Sequence, residues 1–93
     1  MIISSGVTAD IKKLVELNLA DWKRDAREYG YIDLTIAVND EGDRWNYQTG
    51  DNSYTGGAYG LPHWAVVTID IDTDRDDLVR DIFEQFSEIE VMA

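Results

Sequence analysis

Aspartate stands at every second position from 70 to 76, and Asp81 follows five residues later. Alternating carboxylates are the donor pattern of a calcium loop, which needs oxygen ligands at positions 1, 3 and 5, glycine at 6 and a bidentate glutamate at 12. Asp70, Asp72 and Asp74 fill the first three places, but Arg75 stands where glycine is required and Asp81 takes the place of the longer glutamate. A strand precedes the series where a calcium loop has a helix. The spacing therefore predicts structural roles: Asp70 facing out of a strand, the others capping the helix that follows. His63 lies in the same half of the chain as Asp51 and Ser53, the residue types of a hydrolytic triad. No nucleophile elbow or oxyanion turn accompanies them, so residue type alone supports that chemistry.

Residues 49–60 hold four glycines, two tyrosines (Tyr54 and Tyr59) and several hydroxyls, and run on into Leu61-Pro62-His63-Trp64. No lysine follows the glycines and no helix opens after them, which excludes a phosphate cradle. The composition is that of an adaptable contact surface; the competing reading is a long connection whose tyrosines fold back on the sheet.

Charge is distributed unevenly. Residues 1–39 carry 5 basic and 6 acidic side chains, whereas residues 40–93 carry 3 basic and 13 acidic. Asp74, Asp77, Asp81, Glu84 and Glu88 recur at three- and four-residue steps, which places them along one side of a helix. Such a stripe can stand in for a phosphate backbone, or it can be a solvated face that keeps a small protein soluble.

The elements that must position these residues follow from hydrophobic period. Residues 8–29 read as a helix whose apolar stripe is Ile11, Leu14, Val15, Leu19, Trp22, Ala26 and Tyr29, with Thr8 as N-cap, Asp10 in the first turn and Gly30 just past the end. Leu17 points away from that stripe and Asn18 lies within it. Residues 31–38 alternate as a strand, with Ile32, Leu34, Ile36 and Val38 on one face. Turn residues at 39–43 predict an antiparallel return over about 44–49, a second strand whose register, and hence the side taken by Trp45 and Tyr47, is left open. A third strand over 63–71 carries Ala65, Val67, Ile69 and Ile71 on one face, and a second helix over 74–88 buries Leu78, Val79, Ile82, Phe83 and Phe86. Thr73 with Asp76 resembles a capping box. The order predicts an α+β domain, α-β-β-β-α, spanning residues 1–93: a three-stranded antiparallel meander with two helices packed on one face.

At 93 residues and 44% hydrophobic composition the chain can bury one modest core. The absence of cysteine excludes disulfide scaffolds and thiolate metal sites, and a single histidine excludes paired-histidine metal motifs. We expect no metal and no cofactor. Residues 1–5 contain no basic region followed by a long apolar one, and no apolar run reaches the ~18–20 residues that cross a bilayer. A net charge of −11 opposes direct contact with nucleic acid or an anionic membrane. The expected location is the cytoplasm.

In size, acidity, lack of cysteine and the aromatic-polar segment after an α/β pattern, the whole chain resembles the small phage-encoded anti-defence proteins, the anti-CRISPR and nucleic-acid-mimic group. The resemblance is one of character and rests on no diagnostic motif. It implies a non-enzymatic inhibitor that occupies a basic nucleic-acid-binding site of a host complex, with the host cytoplasm as its place of action. It further implies that Asp70, Asp72, Asp74, Asp77, Asp81, Glu84 and Glu88 face lysines and arginines, while Tyr54, Tyr59 and Trp64 anchor the contact. Two other readings stay open. One is an interaction subunit or homodimer using the open sheet face, around Tyr31, Trp64 and Val66, or the edge of the third strand. The other is a small-ligand or enzymatic module with its pocket under the 50–60 segment, near His63 and Asp51.

Overall fold

The computed structural model describes residues 3–50 and 60–92, with side chains through Ser87. The elements are α1 (Ser5–Tyr29), β1 (Ile32–Val38), β2 (Trp45–Gly50), β3 (His63–Ile69) and α2 (Arg75–Met92). Asp51, Ser53, Tyr54 and Tyr59, together with the side chain of Glu88, lie outside the described residues.

The α-β-β-β-α order and antiparallel pairing are those the sequence predicts, but the sheet is not a meander. β1 lies between the other two strands and pairs antiparallel with both, so the strand order is β2-β1-β3. Gly50 lies opposite Asp33 and His63 opposite Val38, so the connection from β2 to β3 leaves one end of the sheet and re-enters at the other. Composition explains the arrangement. β1 (IDLTIAV) is buried at every position but Asp33, as a central strand must be. β2 (WNYQTG) has no buried residue and suits an edge.

Ile32, Leu34, Ile36 and Val38 share one core with Ala65, Val67 and Ile69 of β3, Val7, Ile11, Val15 and Trp22 of α1, and Leu78, Ile82 and Phe86 of α2. Both helices therefore pack on the same face of the sheet. Tyr29, expected in the stripe of α1, is 70% exposed, and Ile71, expected in the third strand, is 51% exposed beyond its end. Leu17 points to solvent, as the helical period requires. Asn18 is half-buried and satisfied by donating to the Leu14 carbonyl at 2.8 Å.

The helix ends differ from the sequence expectation. α1 starts a turn earlier than predicted, because Val7 extends the Ile11/Val15 stripe into the core. Ser4, not Thr8, is the N-cap, its Oγ accepting from the Val7 N–H at 3.2 Å, and Asp10 accordingly lies beyond the first turn. Gly30 ends α1 at φ 93°, where its N–H reaches the Ala26 carbonyl, a backbone state that favours glycine. Asp74, not Thr73, caps α2: its Oδ2 accepts from the N–H groups of Asp76 (3.1 Å) and Asp77 (3.2 Å). Thr73 instead closes the turn after β3, its Oγ1 accepting from the Asp70 N–H at 2.9 Å and donating to Asp70 Oδ1 at 3.3 Å.

The β1–β2 turn is organised by Asn39. Its Oδ1 accepts from the backbone N–H groups of Asp43 (3.0 Å) and Arg44 (3.1 Å), and its Nδ2 donates to Asp43 Oδ1 at 2.7 Å. The Gly42 carbonyl in that turn accepts from the Ser4 N–H at 2.9 Å, so the hairpin also fixes the start of α1.

Candidate functional site

α2 carries three kinds of side chain on three sides. Taking 100° per residue, Leu78, Ile82 and Phe86 fall within about 40° of one direction and are buried against the sheet. Arg75, Val79 and Phe83 turn toward α1, where with Lys12, Glu16, Asp76 and Arg80 they line a groove of about 490 Å³ between the helices. Asp74, Asp77, Asp81 and Glu84 lie on the opposite side, within an arc of about 80°, and all four are exposed.

That acidic side runs beside the outer edge of β3. Gln85, next to Glu84, reaches the Val66 backbone: its Oε1 accepts from the Val66 N–H and its Nε2 donates to the Val66 carbonyl, each at 2.9 Å. The stripe thus begins at the 70–74 turn and passes along β3 to the level of Val66. Residues 70–84 hold seven acidic side chains and two basic ones. Arg80 pairs with Asp77, and Arg75 pairs with Asp76 at 3.3 Å. The Asp77 carboxylate, by hydrogen bond and by charge, holds the Arg80 guanidinium above its ordinary pKa, and Glu84 and Asp81 act in the same direction. Among the described residues Asp81 and Glu84 have no cationic partner within salt-bridge distance.

The carboxylates of the 70–76 series are engaged locally. Asp70 Oδ1 accepts from the Asp72 N–H at 2.9 Å and from Thr73, while Asp74 caps α2. Among the described residues no three His, Asp or Glu side chains converge on a cation-sized site.

Trp64 is half-buried on the sheet face opposite the helices, and its Nε1 donates to the Leu61 carbonyl at 2.6 Å. It stands at the other end of β3 from Asp70, about 20 Å along the strand. The structure therefore places Trp64 with the Val66 and Gln85 end of the stripe and apart from Asp70, Asp72 and Asp74. Val66 on the same open face is 42% exposed and Tyr31 56% exposed.

The pocket expected near His63 falls under residues 51–59, which lie outside the described residues. His63 Nε2 meets Asp40 Oδ1 of the β1–β2 turn at 2.7 Å, a hydrogen-bond partner that sequence spacing alone does not suggest. Gly50, which leads into Asp51, lies five register positions away at the opposite end of the sheet. Trp45 and Tyr47, whose side was open in the sequence, lie opposite Val38 and Ile36 on the helix-bearing face and stack with ring centroids 6.1 Å apart. Among the described residues no helix is long and apolar enough to cross a membrane. Comparison with protein-family models, curated proteins and solved structures returned no match.

Proposed function

We propose that the protein is a non-enzymatic binding protein that sets the acidic side of α2 into a basic nucleic-acid-binding site of a partner protein, so that nucleic acid and this chain compete. The observation that carries the reading is the exposed row Asp74, Asp77, Asp81 and Glu84 on one side of a helix anchored to the sheet by Leu78, Ile82 and Phe86. Successive carboxylates in that row are about 4.5–6 Å apart along the axis, comparable with the ~3.4 Å axial spacing of phosphates on one DNA strand. The row is presented by a packed element, so binding orders little of the chain. The resemblance to phage anti-defence proteins names a host defence complex in the cytoplasm as the partner of this class, with Asp70 and Asp72 at one end of the contact and Trp64 near the other.

Pairing of β3 with a second copy is the less favoured reading, because Gln85 occupies both Val66 backbone groups. The immobilised protein, exposed to host lysate, is expected to retain a basic nucleic-acid-binding complex that double-stranded DNA and high salt both displace. The variant Asp77→Asn/Asp81→Asn/Glu84→Gln should retain it at least tenfold more weakly. Undiminished binding by that variant, or a partner that neither DNA nor salt releases, would overturn the reading.

A further inference from the structure

A cleft of about 490 Å³ opens between the last turn of α1 and the adjoining strand ends, lined by Asp25, Tyr29, Tyr31, Ile32, Thr49 and Gly50. It lies on the β2 side of the sheet, whereas the acidic side of α2 flanks β3, so the proposed partner contact does not use it. Its volume is within the ~300–1,000 Å³ of small-molecule sites.

Its lining is selective in kind. Tyr29 and Tyr31 are 70% and 56% exposed and bracket Gly30, whose positive φ ends α1 between them, so both tyrosines reach one cleft. Asp25 precedes Tyr29 by four residues and shares its helix face. The neighbouring Arg24 is paired with Asp21, and among the described residues no cation is within salt-bridge distance of Asp25. Ile32 supplies a buried apolar floor, and among the described residues no basic side chain lines the cleft. Aromatic faces attract a cation through their quadrupole, a carboxylate supplies the opposite charge, and the apolar floor accepts the carbon substituents.

We propose that this cleft binds an organic cation, an alkylammonium or guanidinium group, between Tyr29, Tyr31 and Asp25. The same chemistry is presented by a free small amine and by a lysine or arginine side chain of another protein.

The test is a titration of the full chain followed by NMR of the Tyr29 and Tyr31 rings. The probes are choline, its neutral tert-butyl isostere, and the acetylated methylamides of lysine and arginine. Saturable shifts of both rings with at least one cation, and binding of the neutral isostere at least about fivefold weaker, are expected. Tighter binding of choline assigns a free amine, and tighter binding of an amino-acid amide assigns a protein side chain. Tyr31→Leu, which keeps apolar volume, should lose the preference for charge, and Tyr31→Phe should keep it. Asp25→Asn should weaken every cation severalfold, and both positions are exposed enough for the fold, checked by circular dichroism, to survive. Asp77→Asn/Asp81→Asn should leave the titration unchanged, which separates this site from the α2 contact. Equal binding of the neutral isostere, or no ring shift with any cation at tens of millimolar, overturns the proposal.

Discussion

The side-chain amide of Gln85 pairs with the backbone of Val66 as a neighbouring strand would, giving one hydrogen bond and taking one, each at 2.9 Å. An edge strand exposes alternate N–H and C=O groups to any passing chain. Here the helix packed beside β3 lends an amide that fills one such position. On the other edge Asn46 does a smaller version of the same thing, its Oδ1 accepting from the Tyr47 N–H at 2.8 Å.

Replacing Gln85 with alanine should lower stability by about 1–2 kcal/mol, the net worth of two partly solvated hydrogen bonds. It should also make the protein self-associate. Urea unfolding measures the first effect, and light scattering across a concentration series measures the second. Gln85→Glu keeps the acceptor and loses the donor, so it should fall between the wild type and Gln85→Ala in stability. An alanine variant that stays as stable and as monodisperse as the parent would show that the Val66 edge needs no cover.

Asn39 holds the β1–β2 turn with two accepted backbone hydrogen bonds and one donated to Asp43. Asn39→Ala should cost about 1–3 kcal/mol, because the Asp43 and Arg44 N–H groups lose their acceptor. Asn39→Asp retains the acceptor oxygen but sets a carboxylate against Asp43, and should be intermediate at low salt and closer to the parent at high salt. Thermal unfolding at two salt concentrations distinguishes these outcomes. Because Gly42 in that turn binds Ser4, amide exchange at the start of α1 should quicken in Asn39→Ala.

A net charge of −11 on 93 residues opposes the compact state through self-repulsion. Raising sodium chloride from about 0.01 M to about 0.3 M shortens the screening length from ~30 Å to under 10 Å. The midpoint of thermal unfolding should therefore rise by several degrees. The pairs Arg24–Asp21 and Arg80–Asp77 are exposed and worth too little to reverse the trend. A midpoint that falls with salt would mean that specific attractions outweigh the bulk repulsion.

The periods of β1 and of both helices were legible because each strand or helix shows one clear apolar face, and Leu17 and Asn18 were correctly set apart as the positions that break the α1 stripe. Strand order is not legible: the sequence suggests a meander but leaves the order open, because a turn at 39–43 and a later strand are compatible with several orders. Two signals pointed to the correct one. The β2 segment WNYQTG lacks the aliphatic residues of a doubly covered strand, and twelve residues between β2 and β3 suit a crossover better than a tight hairpin. At the candidate sites, the acidic side of α2 follows directly from helical spacing. The Gln85 clamp, the His63–Asp40 pair and the Asp25/Tyr29/Tyr31 cleft do not, since each depends on how separate elements meet. Tyr29 fits the stripe by its angle, but it is the last residue of α1 and its side chain borders the open cleft beside the strand ends, 70% exposed.

The strand made first sits at the centre of the sheet, and this has a consequence during synthesis. β2 can pair with β1 as soon as residue 50 has left the ribosome, but the other edge of Ile32–Val38, the most apolar strand in the chain, waits for Ile69. At roughly 5–20 residues per second, the nineteen residues between take about one to four seconds. For that interval each nascent chain offers one unpaired edge of its most apolar strand, so slowed elongation between positions 50 and 69 should lower the yield of folded protein.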